Sequence, residues 1–369
     1  MDQELKRSPL HERHVTAGAK FAEFGGWSMP LEYAGTNERK GGVLAEHEAV
    51  RSGVGVFDVS HLGKVVVSGT GAVDFLNRCF TNDLGKIGPG RAQYTLLCND
   101  DGGVVDDLIV YLRSEDEAFL VPNAANSAAV VRVLQDLAPE DITVTDEHED
   151  HAVIAVQGPG SSAVMETCGY PTDLDYMAFT TLDDGTTVCR TGYTGEVGFE
   201  LVVPRDRAVE VWDAVLAAGA DAGIRPAGLG ARDTLRTEMG YSLHGNEITP
   251  EISPVQARLG WAIGWHKPEF CGHEALRAEK EARPVRTARG LVAEGRGIPR
   301  PGMAVVDDDG NEIGVVTSGT FSPTRKVGIA LALIGRGHKV GETVGVQVRN
   351  RVERFLITKP PFVEIGVRG

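Results

Sequence analysis

The sequence predicts an α+β protein of several domains, with mainly antiparallel sheets and flanking helices, ending in an all-β, barrel-like C-terminal domain. Three observations predict it. At 369 residues the chain is about twice the size of one domain, so two or three separate cores are expected. Its glycines and prolines, 46 and 18 in number, are scattered instead of gathered into a linker, which divides the chain into many short segments. Several strand-like segments come in adjacent pairs with short turns between them. Only antiparallel strands can be joined that way, because a parallel connection needs a crossover of about a dozen residues or more.

The elements follow in chain order. Alternating or apolar runs bounded by Gly or Asp predict strands over GKVVVSG (63–69), DDLIVYLR (106–113), HAVIAVQG (151–158), TTVCRTGY (186–193) and GFELVVP (198–204). Apolar residues returning every three or four positions predict helices over GAVDFLNRCF (71–80), NSAAVVRVLQDLA (126–138), RAVEVWDAVLAAGADAG (207–223) and GLGARDTLRTEMG (228–240). Beyond about residue 283 strand follows strand, with a turn signal at Asp307-Asp308-Asp309-Gly310-Asn311 and almost no helical pattern. The expected partition is a discontinuous α+β domain from 1–55 and 150–225, a second from 56–149 and 226–282, and a β domain over 283–369.

The net charge of -15 argues against extended contact with nucleic acid, whose affinity comes largely from clustered Lys and Arg. Cys79, Cys98, Cys168, Cys189 and Cys271 are odd in number and widely separated. They contain no C-x-x-C pair and no His at metal-ligand spacing, so neither a disulfide framework nor a metal site is indicated. The polar start MDQELKRSPLHERH lacks a signal-peptide core, and no apolar run approaches the roughly 20 residues that span a bilayer. A cytoplasmic protein is expected, although an imported one freed of its targeting peptide would look the same.

Three segments carry chemistry. Asp106-Asp107 follows Gly102-Gly103 and heads an apolar strand. Neighbouring strand side chains point to opposite faces, so only one of these acids enters a given pocket and a simple dyad is ruled out. The segment reads either as a hairpin turn followed by an edge strand with solvated acids, or as a carboxylate where glycine lets backbone approach a ligand. The second segment is Gly192-Tyr193-Thr194-Gly195-Glu196-Val197-Gly198-Phe199-Glu200. It reads as a glycine-rich hairpin with Glu196 exposed, or as a Glu accepting from a ring N–H and an exocyclic amine, the edge of a pterin or guanine. In the third, Arg232 and Arg236 share a helix face with Asp233 and Glu238 nearby. They form either an exposed ion-pair lattice or an inward Arg232 whose planar fork meets Glu200 or a ligand carbonyl.

Further segments stand in order beside these. They are Lys20 to Trp27, Met29-Pro30-Leu31, Val54 to Gly63, Tyr94-Thr95, Gly102 to Val110 and Gln157-Gly158-Pro159, then Ala231-Arg232-Asp233, Tyr241, Gly245-Asn246, Thr317-Ser318-Gly319 and Lys359-Pro360-Pro361-Phe362. In this ordered set the chain resembles the T-protein (aminomethyltransferase) family of the glycine cleavage system over nearly its whole length. Two departures stand out. The stretch Gly35 to Lys40 is longer than the usual family loop, and Ser60-His61-Leu62-Gly63 replaces Ser-His-Met-Gly, a change that conserves volume.

The resemblance implies transfer of a one-carbon unit, from an aminomethyl group on the lipoyl arm of a lipoylated H-protein to tetrahydrofolate, with release of ammonia. Tetrahydrofolate would be the one-carbon acceptor substrate, with no metal, no nucleic acid and no membrane involved. Asp106 matches the family's key carboxylate. A fixed anion there would stabilise developing iminium charge and accept or relay a proton. The resemblance assigns Glu200 and Arg232 to the pterin head, and Tyr94, Tyr193, Tyr241 and Trp261 to the walls of a folate cavity shared between domains. It makes Asn123 a directional hydrogen-bonding group and Arg368 a C-terminal arginine reaching the site. His61 reads as structural. Other classes remain: a folate-dependent module of a sarcosine or dimethylglycine oxidising system, which would need a separate flavin subunit since no G-x-G-x-x-G follows an initial strand, or a non-enzymatic folate-binding protein. A folate-using iron–sulfur relative would carry a Lys-Gly-Cys-Tyr-like motif where this chain has Thr191-Gly192-Tyr193-Thr194.

Overall fold

The computed structural model describes residues 4–35 and 40–364; residues 36–39 of the long loop, and Arg368, lie outside the described residues. Its strands form four sheets. Near the N-terminus the hairpin of Ala19–Phe24 and Trp27–Tyr33 takes up Lys6–Arg7 as a third strand. A six-stranded sheet runs in the order Phe179–Thr181, Thr187–Cys189, Gly198–Pro204, His151–Gln157, Gly55–Asp58, Arg225–Pro226, antiparallel except for its last pair. A five-stranded antiparallel sheet runs Ala92–Cys98, Val104–Leu112, Glu117–Val121, Val65–Ser68, Thr143–Asp146.

The amphipathic pattern explains how these sheets pack. On one face of the five-stranded sheet, Phe75, Leu76, Val130 and Leu134 from helices Ala72–Cys79 and Ser127–Leu137 cover Val65, Val67, Leu97, Leu108 and Val110. One face of the six-stranded sheet is covered likewise by helices Ser161–Thr167 and Ala208–Ala218 through Val164, Met165, Val211, Trp212 and Val215. The remaining faces of the two sheets share one core. Phe57, Val153, Ala155 and Val202 meet Tyr111 and Phe119 there, with Trp27, Met29, Leu229, Ala231 and Leu235 completing it. The predicted helix over 207–223 stops at Ala218, because a Cβ at Gly219 would stand 2.6 Å from Ile224, and Ile224 turns the chain back toward the sheet.

The C-terminal strands close a barrel in the order Arg286–Ala293, Val327–Gly335, Glu312–Ser322, Ala304–Val306, Thr343–Val348, Arg351–Thr358. Apolar residues at every second position fill it, for example Leu291 with Ala293, Ala330 with Ala332 and Ile334, and Phe355 with Ile357. The α+β class with a terminal barrel is therefore as the sequence predicts. Among the described residues no helix is long and apolar enough to cross a membrane.

Helix Leu229–Met239 joins barrel and body, and eight of its eleven residues are buried. The exposed ion-pair lattice that its charges suggest in the sequence is not what forms. Arg236 is buried, and it donates to Glu247 at 3.0 Å, to the Tyr241 carbonyl at 3.1 Å, to Asp233 at 2.8 Å and to Ser318 of the barrel at 2.7 Å. Glu238 pairs with neither helix arginine. It accepts from Arg51 at 3.0 and 3.1 Å, from Ser322, and from Thr324 at 2.9 Å, with His47 at 3.3 Å. Burial opposes its charge, but the His47 bond and the Arg51 guanidinium outweigh this and hold its pKa at about 2.

Replacing Glu238 by Gln leaves Arg51 with Glu196 as its remaining anion and is expected to destabilise the protein by about 2 to 3 kcal/mol at neutral pH. A carboxyl whose folded pKa lies below its ordinary 4.5 stabilises above that value and loses its contribution as pH falls toward 2. The variant should therefore lose less stability than the parent across that window. Urea melts at neutral and acid pH check both points, and equal acid sensitivity of the two proteins would contradict the assignment.

Candidate active site

Strands Ala92–Cys98 and Val104–Leu112 are joined by the turn Asn99 to Gly103, closed by the Asn99 side chain accepting from Gly103 N–H at 2.8 Å. Gly102 adopts φ +82°, and a Cβ on Gly103 would stand 1.7 Å from the Pro250 carbonyl oxygen. The glycine pair therefore admits the protein's own backbone, fastened by Val104 N–H donating to Thr249 at 2.8 Å, and not a ligand. Nor is Val104–Leu112 an edge strand; it lies between two neighbours in the sheet.

Register decides where each acid faces. Tyr94 pairs with Ile109 and Leu96 with Asp107, so Asp107 shares a face with Tyr94. Leu97 pairs with Asp106, which turns Asp106 toward the helix-covered face. Asp106 is fully buried. Its Oδ1 accepts from Asn123 Nδ2 at 2.9 Å and Asn126 Nδ2 at 2.7 Å, and its Oδ2 from Asn123 backbone N–H at 2.9 Å. Burial first, then the charge of Asp107, push its carboxyl up to about 8 against these amide donors. Asp107 is half-buried and accepts from the Tyr94 hydroxyl at 3.0 Å and Asn123 Nδ2 at 2.9 Å. Burial raises its pKa also, opposed by the Tyr94 bond and by His244. The two acids occupy opposite faces as strand alternation requires, yet a single amide joins them. Strand Glu117–Val121 pairs only as far as Ile109, and Asn123 fills the edge beyond, next to both carboxylates.

Glu200, on strand Gly198–Pro204, accepts from Thr191 Oγ1 at 2.5 Å, and Thr191 meets the Tyr111 hydroxyl at 3.3 Å. The Arg232 guanidinium lies 4.9 Å over the Tyr193 ring, and its buried Nη1 has no hydrogen-bond partner among the described residues. Burial lowers its pKa, and the charge of Glu200 counters this, although no hydrogen bond joins the two. Tyr193 bonds the Ser242 carbonyl and stacks on Tyr241 at 5.7 Å and 28°. Tyr94 stacks on Trp261 at 5.4 Å and 26°, and Trp261 is 66% exposed. The charge of Asp107 reaches Tyr193, which links the two groups of residues into one cluster.

Sequence reasoning missed Asp107, Asn126 and His244, whose Nε2 lies 3.0 Å from the Val104 carbonyl. Strand alternation separates Asp107 from Asp106, but the following run is apolar on both faces, so the sequence does not tell which of the two meets the tyrosines. Glu196, read as exposed, is buried and paired with Arg51 at 3.1 Å. His61 is kept neutral by burial, with a pKa of about 3, and its Nδ1 has no hydrogen-bond partner among the described residues. A separate cavity of about 480 Å³ beside Trp27, His148 and Ala124 contains none of the predicted site residues.

A buried guanidinium nitrogen without a partner is costly unless a ligand supplies an acceptor. Set among carboxylates and stacked rings, it is a donor that a ligand's acceptor would satisfy, the kind of group an enzyme's binding site presents. Family models describe the chain as a "GCVT N-terminal domain" over residues 10–267 and a "Glycine cleavage T-protein C-terminal barrel domain" over 286–364. The chain belongs to the glycine cleavage T-protein family. It is 56% identical to the aminomethyltransferase of Parafrankia sp. (strain EAN1pec) over 368 residues, 99% of this chain and 100% of that one. It is 55% identical to that of Mycobacterium avium (strain 104), covering 100% and 99%. The crystal structure of glycine cleavage system aminomethyltransferase T from Bartonella henselae matches with a TM-score of 0.91 at 36% identity, covering 97% of this chain and 98% of that one.

Replacing Tyr94 by Phe removes a donor to the charged form of Asp107 and should raise the pKa of that carboxyl further, by about one unit. Side-chain carbon NMR of the aspartates would read this directly, and an unmoved Asp107 would show that the phenol does not hold it.

Proposed function

We infer that this chain is an aminomethyltransferase of a glycine cleavage system. It takes the aminomethyl group from the dihydrolipoyl arm of the H-protein, releases ammonia and passes the one-carbon unit to tetrahydrofolate. The product is 5,10-methylenetetrahydrofolate. The observation that carries this reading is a half-buried Asp107 carboxylate, fixed by Tyr94 and Asn123, in one cluster with the unpartnered Nη1 of Arg232.

Tetrahydrofolate supplies two amines, N5 and N10, that accept the one-carbon unit. The residues present fit it. Glu200 offers acceptors and Arg232 a donor fork to the polar edge of the pterin. The Tyr94–Trp261 and Tyr193–Tyr241 pairs offer flat faces to its rings. Asn123 is assigned as a directional group beside them, and Arg368 stays the candidate for a C-terminal arginine reaching the site.

The family resemblance points to Asp106 as the working carboxylate, but we assign that role to its neighbour. Asp106 is fully buried beneath the helices, whereas Asp107 is half-buried on the Tyr94 face. A fixed Asp107 anion stabilises positive charge as it develops on the one-carbon centre and accepts the departing proton. Burial keeps the Tyr94 phenol protonated, so it remains a donor that orients Asp107. We divide the chain as the sequence predicts, moving the first boundary past Asp58, because Gly55–Asp58 pairs within the six-stranded sheet. Five unpaired cysteines fit a reducing cytoplasm.

Purified protein given aminomethylated H-protein and tetrahydrofolate should release ammonia, and Asp107→Asn should lower kcat at least about 100-fold while folate affinity stays within a few fold. Ammonia release no faster than from the carrier alone, with folate still bound, would overturn the transferase reading. Full turnover in Asp107→Asn would remove that residue from the mechanism.

A further inference from the structure

We propose that Asp106 and Asn126 are positioning residues: they clamp the Asn123 amide so that it holds Asp107 in its working orientation, although neither shares a face with the aromatic cluster. This rests on the transferase reading and on Asp107 as its carboxylate.

The geometry is that of a frame. Asn126 Nδ2 donates to Asp106 Oδ1 at 2.7 Å, and Asp106 in turn grips Asn123 twice, through backbone N–H and through Nδ2, each at 2.9 Å. The same Nδ2 reaches Asp107 Oδ1 at 2.9 Å and the Asp107 carbonyl at 3.0 Å. Two amide hydrogens thus serve three acceptors. Their orientation is set by two fixed acceptors, the Asp107 carbonyl of a central strand and the Asp106 carboxylate buried beneath two helices, and of the two only the carboxylate also holds the Asn123 backbone. Asn126 stands at the start of helix Ser127–Leu137, where its carbonyl accepts from Val130 N–H at 2.9 Å, so the frame is anchored to a rigid element.

All three contacts to Asp106 are donors, and the Asn123 amide donates to both acids. The frame is therefore tightest when both carboxylates are ionised, and a proton on either weakens the contacts to the oxygen that carries it. The titratable groups around the pair are Tyr94 from the adjacent strand, Tyr193 from the loop before Gly198–Pro204, and His244 from the segment after Leu229–Met239. Substitution at Asn126 leaves all of them unchanged. Loss of its donor leaves the ionised pair with one hydrogen bond fewer, so the pair keeps its last proton to higher pH.

The experiment compares Asn126→Ala, Asn126→Ser and Asp107→Asn with the parent enzyme in ammonia release from aminomethylated H-protein and tetrahydrofolate. Asn126→Ala should lower kcat about 10-fold, leave KM for tetrahydrofolate within about twofold, and move the acid limb of the kcat profile up by about one pH unit. Asn126→Ser, which restores a short donor, should recover part of both effects. A lower thermal midpoint with kcat and acid limb unchanged would show that Asn126 only supports the helix, and would overturn the proposal. If Asp107→Asn retains turnover, the assignment of Asp107 fails first, and the two failures are told apart by that variant.

Discussion

The fold depends on one constraint: helix Leu229–Met239 is buried along most of its length while carrying three arginine and glutamate side chains that burial penalises. Arg236 and Glu238 are tolerated because each meets a full set of partners drawn from separate parts of the chain. Arg236 finds Glu247 and the barrel's Ser318, and Glu238 finds Arg51, His47 and the barrel's Ser322 and Thr324. Charges taken out of water are stable only where geometry and count of partners are both right, so each arrangement fixes the barrel and the body in one relation. Arg232, on the same helix, is the exception. It reaches the helix's other neighbour, the Tyr193–Glu200 segment, with one nitrogen left over.

That leftover nitrogen is informative because the rest of the helix is so well satisfied. Arg236 meets four acceptors drawn from the helix, the segment after it and the barrel, whereas Arg232 keeps a nitrogen unpartnered although Glu200 lies close enough for its charge to be felt. The shared core beneath them, where Tyr111 and Phe119 meet Phe57 and Val153, makes the two sheets one body, so groups contributed by each hold a fixed separation. Preorganisation of this kind is what an electrostatic contribution to catalysis requires.

Much of the architecture was legible in the sequence because it rests on periodicity. Strands such as 198–204 and helices such as 228–240 were visible as alternation and as three- and four-residue returns, and the change to strands after residue 283 foretold the barrel. The N-terminal hairpin and helix Val43–Ser52 were not read, since Gly25-Gly26 and the mixed burial of Ala19–Phe24 blur any period. At the site, residue types were legible and directions were not. Glu200, Arg232 and the tyrosines were singled out through family likeness, and Arg232, Tyr193 and Tyr241 stack on one another in the structure. Which of two adjacent aspartates faces them depends on which side of the strand meets the tyrosines, and a run that is apolar on both faces, Leu108 to Leu112, does not mark that side. Glu196 and Glu238 were placed on the surface because acids usually are; their partners, above all Arg51, are remote in sequence.

The adjacency of the two aspartates then has a structural cause. Where strand Glu117–Val121 stops pairing at Ile109, the edge of Val104–Leu112 is left buried under a helix, and the incoming backbone N–H of Asn123 needs an acceptor that the ladder no longer provides. A carboxylate at Asp106 supplies it and also receives both asparagine amides, which a neutral side chain of similar size could do only in part. Burial, and then the charge of Asp107, raise the pKa of Asp106, and burial raises that of Asp107. A carboxylate so placed is a stronger proton acceptor than a solvated aspartate. The basicity asked of Asp107 thus arises from its burial, and its orientation from the Asn123 amide that closes the sheet edge.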